Sequence, residues 1–252
     1  MLNDDPVHPA RLLPLQGATN FRDLGGYRGH DGRPLRARQL FRSDHLGGLT
    51  TEDHAQLRQL GVTRAFDFRG VRESASQAYD VPGLARHALA IEPSVAQEMH
   101  ALAEAGIPLT PARMEELMQG LYRRLVTDNA PVFADWFGHL LDDDSPLVFH
   151  CTAGKDRTGI AAMRLLRALG VDAAVVEADY LLTNEHSRRP PAHDERIPDD
   201  ALAVLWSVRP SFLQTALDHI EQDLGGLDPY LSRAMKLSPA ARAKLVSTYL
   251  ER

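Results

Sequence analysis

Apolar and polar positions change their spacing along this chain, and the change divides it into three zones. In the first, to about residue 92, short apolar runs lie between turn residues. Phe21-Arg22-Asp23-Leu24-Gly25-Gly26-Tyr27 reads as a turn, Arg38 to Phe41 as a short strand, and Thr50 to Leu60 as a helix capped by Thr50 and stopped by Gly61. Val62 to Phe68 has the β-branched and aromatic content of a buried strand, and Arg86 to Ile91 predicts another.

The middle zone takes a helical period. Thr110 caps a helix with Pro111 at its first position, and Met114, Leu117, Met118, Leu121 and Leu125 fall on one face, the pattern of a core-facing stripe. Asn129 is the expected cap of a second helix carrying Val132, Phe133, Trp136, Phe137 and Leu140, which Asp142-Asp143-Asp144-Ser145 closes. Pro146-Leu147-Val148-Phe149 is then a short buried strand. From Thr158 the chain is predicted helical to Leu169, where Gly170 ends it, and again from Asp172 to about Glu185. A polar, proline-rich linker follows near Ser187 to Pro198. Four amphipathic segments complete the chain: Ala201 to Val208, Ser211 to Leu224, Asp228 to Met235, and Pro239 to Leu250 behind a Ser238 cap. This order predicts an α/β fold, a mixed sheet flanked by helices with a helical C-terminal extension. No internal repeat interrupts it. The expected organisation is one domain over residues 1–252, with a core at about 10–186 and a helical part at about 199–252.

Composition narrows the function classes. At 252 residues, with 44 % hydrophobic and 25 % charged side chains, the chain has the balance of a globular protein, which excludes disordered, collagen-like and coiled-coil classes. The net charge of −6 gives no overall attraction to nucleic acid or anionic lipid, so an anionic substrate has to be captured locally. The single cysteine, Cys151, cannot form an internal disulfide, so a reducing compartment, or indifference to redox, is expected. No apolar run approaches the roughly 20 residues that span a bilayer. The start, Met1-Leu2-Asn3-Asp4-Asp5-Pro6, is acidic where a signal peptide is basic and then apolar. The expected location is cytoplasmic, with export lacking a recognisable signal left open.

The chemistry concentrates in His150-Cys151-Thr152-Ala153-Gly154-Lys155-Asp156-Arg157-Thr158-Gly159, between a predicted buried strand and a helix. A loop bent tightly there aims backbone N–H groups inward, and the following helix adds its positive end to the same point, so a phosphate fits. Thr152, Ala153, Gly154, Lys155, Arg157 and Thr158 would line that cradle. A lone cysteine is most often an ordinary buried residue. Between strand and helix, with His before it and Arg six positions on, Cys151 instead stands where N–H dipoles and a guanidinium favour the nucleophilic thiolate. Arg157 offers a planar fork for two phosphoryl oxygens, in the ground state and in the transition state. Gly154 allows a backbone conformation or a close approach that a Cβ forbids. The Thr158 hydroxyl can hydrogen-bond the sulfur when the phosphoenzyme breaks down.

This loop resembles the His-Cys-(five residues)-Arg-(Ser/Thr) signature of the cysteine-dependent protein tyrosine phosphatases. The longer Cys-Thr-Ala-Gly-Lys-Asp-Arg-Thr-Gly, with Asn20-Phe21-Arg22-Asp23-Leu24-Gly25-Gly26 upstream and Asp179-Tyr180-Leu181-Leu182-Thr183-Asn184 downstream, resembles the atypical bacterial tyrosine/serine phosphatases. The resemblance implies Cys151 as nucleophile, Arg157 as phosphoryl ligand and Asp156 as general acid. Neither Trp136 nor Trp206 precedes a Pro-Asp pair, so the acid does not come from a Trp-Pro-Asp loop, and Asp67 at the end of a predicted strand is the second candidate. Either aspartate could instead be a salt-bridge partner of Arg157. Lys155 is either a solvated or ion-paired lysine or a second cation for substrates with several phosphates, as in lipid-phosphatase versions of this loop. His150 is expected to brace the loop, with proton transfer as its alternative role. Arg22 and Asp23 are candidates for positioning it.

These readings converge on a phosphomonoester hydrolase working through a cysteinyl-phosphate, with a phosphorylated protein as substrate, phosphotyrosine foremost and phosphoserine or phosphothreonine beside it. A phosphoinositide is the alternative substrate, and a catalytically silent phosphate-binding module is the alternative outside catalysis. A rhodanese-type sulfurtransferase is disfavoured because its loop places four residues between Cys and Arg, where this chain has five. The scattered histidines and single cysteine support no metal centre, and the chemistry needs no cofactor. No nucleic acid partner or integral membrane segment is expected, and the protein is expected to act as a monomer.

Overall fold

The computed structural model describes residues 11–188 and 197–252. Expectations for the acidic start fall on residues 1–10 and those for the polar linker largely on 189–196, so both lie outside the described residues. Five strands, β1 (Arg22–Asp23), β2 (Leu40–Ser43), β3 (Arg64–Asp67), β4 (Ala85–Ala88) and β5 (Leu147–His150), form one sheet in the order β1-β2-β5-β3-β4. β1 runs antiparallel to β2 and every other pairing is parallel. The central strand β5 reads Leu-Val-Phe-His and is buried throughout, as a parallel strand covered on both faces must be.

Alternate residues of the strands feed two cores. Phe41, Ala65 and Val148 face one side with Leu57 of α1 (Thr51–Gln59). Leu40, Phe66 and Phe149 face the other. There α4 (Pro111–Val126), α5 (Ala130–Asp142) and α6 (Asp156–Ala168) supply Met118, Trp136 and Ile160. The helices after residue 197, α9 (Asp199–Leu205), α10 (Pro210–Gln222), α11 (Leu227–Arg233) and α12 (Pro239–Tyr249), add Phe212, Tyr230 and Leu245 to this second core. Tyr249 Oη also donates to the carbonyl of Leu140 at 3.2 Å. Burying these apolar faces at roughly 25 cal/mol per Å2 is the main force holding sheet and helical part together. Among the described residues no helix is long and apolar enough to cross a membrane.

The α/β class and mixed sheet are as predicted, but several local expectations need correction. The segment read as a turn at 21–27 contains β1, whose two residues pair with Arg42 and Phe41. Two helices were not anticipated: α2 (Val71–Ser76) and α3 (Ser94–Glu104). α3 has no side-chain cap and buries only Val95 and Met99, so its apolar stripe is thin. The helix expected over 172–185 breaks at Leu182 into α7 (Ala173–Leu181) and α8 (Thr183–His186). The Asn129 side chain makes no capping bond. α6 begins at Asp156, two residues earlier than the apolar period indicated, because its first turn is polar and faces the loop.

Candidate active site

Register places Ser43, His150 and Asp67 side by side at the C-terminal ends of β2, β5 and β3. Open α/β sheets bind ligands at that edge. The chain leaves β5 there as Cys151, buried at 2 % exposure, and turns through Thr152–Lys155 into α6. Gly154 has φ +64°, and a Cβ on it would meet the Ser43 carbonyl oxygen at 2.5 Å and the Asp44 nitrogen at 2.7 Å, so this position requires glycine on two counts. The loop's carbonyls turn outward. Gly154 O accepts from Asn20 Nδ2 and Arg42 Nη2, both at 3.0 Å, and Thr152 O accepts from His45 N at 3.2 Å. Among the described residues the N–H groups of Thr152 to Lys155 donate to no protein acceptor, which leaves them for an anion.

Arg157 enters this cradle from the first turn of α6. Its Nη1 donates to Glu73 Oε2 at 2.6 Å and to the Ile91 carbonyl at 2.9 Å, while Nη2 donates to Glu73 Oε1 at 2.9 Å. Nε has no protein partner among the described residues, so the Nε edge of the fork remains for phosphoryl oxygens. Burial would ease the proton off this guanidinium, but Glu73 and the charge of Cys151 more than reverse that and raise its pKa. Glu73 also accepts from Thr152 Oγ1 at 2.5 Å, and despite burial its carboxyl is held below its ordinary value by Arg157. Glu73 therefore ties the arginine to the loop it serves. Sequence reasoning missed it; the signal available was a glutamate three residues after Gly70, whose N–H it accepts at 2.8 Å.

Asp156 accepts a hydrogen bond from Tyr122 Oη to Oδ1 at 2.9 Å, and Tyr122 Oη lies 2.5 Å from Tyr180 Oη. Asp156 thus contacts Tyr122 and Lys155 and makes no ion pair with Arg157. Lys155 is buried and donates to the carbonyls of Leu205 and Ser207 at the end of α9, with Asp156 Oδ2 at 3.4 Å. Its ammonium is committed to those carbonyls. Cys151, Thr152, Ala153, Lys155, Asp156 and Arg157 all border one cavity of about 420 Å3, whose apolar wall comes from α3, α4 and α9 through Val95, Met99, Met118 and Leu205, with Trp206 just beyond. Thr158 is fully buried and its hydroxyl has no protein hydrogen-bond partner, which leaves it free for the sulfur as the phosphoenzyme breaks down.

The structure does not bring Asp67 to this cavity, which corrects its candidacy as acid. It is buried, accepts from Arg69 N, Nε and Nη2 and from Arg86 Nε at 2.8–3.0 Å, and burial is outweighed by these partners, leaving its pKa at about 2. His150 braces the strand end: Nδ1 lies 3.1 Å from the Cys151 carbonyl and Nε2 2.8 Å from Tyr79 Oη. Burial lowers its pKa to about 4, which keeps it neutral.

Arg22 and Asp23, adjacent in sequence, act at different places. Arg22 Nε donates to Asp179 Oδ1 at 2.9 Å and Arg42 Nη1 to Asp179 Oδ2 at 2.7 Å, a buried triad whose Arg42, together with Asn20 beside it, also holds Gly154 O. Asp179, although buried, is held at a pKa of about 2 by the two guanidinium groups. Asp23 binds Gly25 N and Arg38 N instead, which stabilises its own turn and corrects its assignment to the catalytic loop. Arg42 carries no motif signal, and only the β2–β5 pairing brings it beneath the loop. Among the described residues no group of three or more His, Cys, Asp or Glu side chains could hold a metal ion.

The model of the tyrosine phosphatase family matches residues 13–251. A Cupriavidus necator protein named a tyrosine-protein phosphatase is 32 % identical over 237 residues, covering 90 % of this chain and 85 % of its own length. The triple specificity protein phosphatase PtpB of Mycobacterium tuberculosis is 32 % identical over 194 residues, 68 % of each chain. The crystal structure of P. aeruginosa TpbA overlaps with a TM-score of 0.34 at 15 % identity, covering 74 % of this chain and 89 % of that one, too low a score to carry any argument.

Proposed function

The chain belongs to the tyrosine phosphatase family and is a protein tyrosine phosphatase, and we propose that it works through a cysteinyl-phosphate on the loop 151–157. Cys151 Sγ attacks phosphorus as its bond to the ester oxygen breaks. Asp156 gives its proton to the departing oxygen, then takes one back from the water that cleaves the phosphorus–sulfur bond, releasing phosphate and restoring the thiolate. The unpartnered N–H groups and the Nε edge of Arg157 hold the equatorial oxygens throughout. The observation that carries this reading is the convergence of Cys151, Asp156 and Arg157 on one cavity, with loop N–H groups left without protein acceptors. We read the sheet and the helical part as one domain because they share a core.

Phosphotyrosine suits the cavity better than a phosphoinositide. Several phosphates on one ring would require a second free cation, and Lys155 is held by the carbonyls of Leu205 and Ser207. The apolar wall offers an aryl ester favourable contact. The test is turnover of a phosphotyrosine peptide set against phosphoserine and phosphothreonine peptides and a soluble phosphoinositide, each also run with Cys151→Ser. Turnover of the phosphotyrosine peptide that depends on Cys151 is expected, with the phosphoinositide the poorest substrate. Turnover that survives the serine replacement would overturn the mechanism, and preference for the phosphoinositide would overturn the substrate reading.

A further inference from the structure

Behind Asp156 the structure places two buried tyrosines that the reaction as described does not use. Tyr122 lies on α4 and Tyr180 on α7, and both rings are within 1 % of complete burial. Tyr122 donates its one hydroxyl proton to Asp156 Oδ1 at 2.9 Å, so the 2.5 Å contact between the two hydroxyls has Tyr180 as its donor. A directed chain results, from Tyr180 to Tyr122 to Asp156. Its base is fixed: the Tyr180 ring packs where Gly159 lacks a side chain, since a Cβ there would meet that ring at 3.0 Å. Tyr122 is wedged against Phe212 of α10, ring centroids 5.7 Å apart. The preceding residue, Asp179, grips Arg22 and Arg42, so one turn of α7 fixes both the cradle and the acid.

We propose that Tyr122, backed by Tyr180, is a positioning residue for proton transfer, in an inference that rests on Asp156 being the general acid. A carboxyl group has two oxygens, and an acid that is free to rotate presents the proton on either. By donating to Oδ1, Tyr122 makes that oxygen an acceptor whether or not the group is protonated, and so leaves the proton to Oδ2, to which Lys155 Nζ, 3.4 Å away and bonded to the carbonyls of Leu205 and Ser207, makes no hydrogen bond. The acid then meets the leaving oxygen in one orientation, without the search that rotation would add. No proton passes through the tyrosines, whose own ionisation burial opposes strongly.

The measurement is kcat/KM of Tyr122→Phe on two substrates whose leaving groups differ in their need for a proton, phosphotyrosine and p-nitrophenyl phosphate. Loss of orientation is expected to cost about tenfold on phosphotyrosine and under about twofold on p-nitrophenyl phosphate. Competitive inhibition by inorganic phosphate should be unchanged, because the cradle is untouched. In an Asp156→Asn background, Tyr122→Phe should add nothing. Should Tyr122→Phe fail to fold, Tyr180→Phe, which removes only the rear of the chain, is expected to show the same substrate split at smaller size. An equal loss on both substrates, or full additivity with Asp156→Asn, overturns the proposal. The single variant Asp156→Asn separates the two inferences. If it alone splits the substrates, only the tyrosines' role falls. If it does not, the acid assignment falls and takes theirs with it.

Discussion

At Arg157 two requirements meet, a fork presented to phosphate and a guanidinium that does not move. Glu73 meets the second through the terminal nitrogens, which frees the Nε edge for the first. Glu73→Gln keeps the shape but removes the charge. We expect kcat/KM to fall by up to about 10²-fold, with weaker inhibition by phosphate, as misplacement of a binding group predicts. Arg157→Lys should lose more, since an ammonium cannot reproduce a two-oxygen fork. Cys151→Ser should end turnover while phosphate still binds, because serine is protonated at neutral pH and the N–H cradle persists; turnover above about a hundredth of wild type would remove the thiolate from the mechanism. Peroxide should inactivate the wild type, phosphate should protect it, and thiols should rescue it only early, because Cys151 has no second cysteine to pair with.

Elements meet at the Arg22–Asp179–Arg42 triad, where β1, β2 and α7 converge under the loop. Asp179→Ala leaves two buried guanidinium groups without a carboxylate. Removing one partner of a buried ion pair typically destabilises by about 3–5 kcal/mol, and urea unfolding should show a loss of that order. An unchanged midpoint would mean the arginines reach water. Gly154→Ala tests the close approach of the loop to β2: the added carbon lies 2.5 Å from the Ser43 oxygen at a left-handed φ, so loop geometry and activity should be lost together. Asp67→Asn, by contrast, should lower stability through Arg69 and Arg86 without splitting substrates by leaving group.

For the whole molecule, four groups with large shifts contribute to how stability follows pH. Asp67 and Asp179, both held at about 2, contribute stability that is complete above the ordinary carboxylate range and lost as pH falls toward 2. His150, lowered to about 4 by burial, stays neutral in the fold while the unfolded chain takes up a proton, so its contribution falls from about pH 6.5 to 4. Asp44 has the opposite sign. Half-buried beside Thr19, it is raised by desolvation to about 6, and protonation in the fold adds stability as pH falls through that value. His150 and Asp44 therefore offset each other between about pH 4 and 6. Asp44→Asn removes one of them, and stability against urea should then rise with pH across this window, approaching the roughly 1.4 kcal/mol per pH unit of one uncompensated proton. A slope no steeper than wild type would remove Asp44 from the account.

The α/β class, most strands and helices, and the loop that holds Cys151, Asp156 and Arg157 were legible in the sequence, because each depends on short-range order: the period of apolar residues, a cap, a glycine, seven residues in a row. It also carried His150 and Arg22 as supports. It could not place Asp67 outside the cavity, separate Arg22 from Asp23, or turn Lys155 onto the carbonyls of α9, since ion-pair partners are chosen by the packing of distant segments. Glu73, Arg42, Tyr122 and Tyr180 escaped it for the same reason. Glu73 lies 84 residues from the arginine it holds and Tyr122 34 from the aspartate it touches. Only a sheet that aligns the ends of β2, β5 and β3, with α4 and α7 packed against α6, decides that these side chains meet.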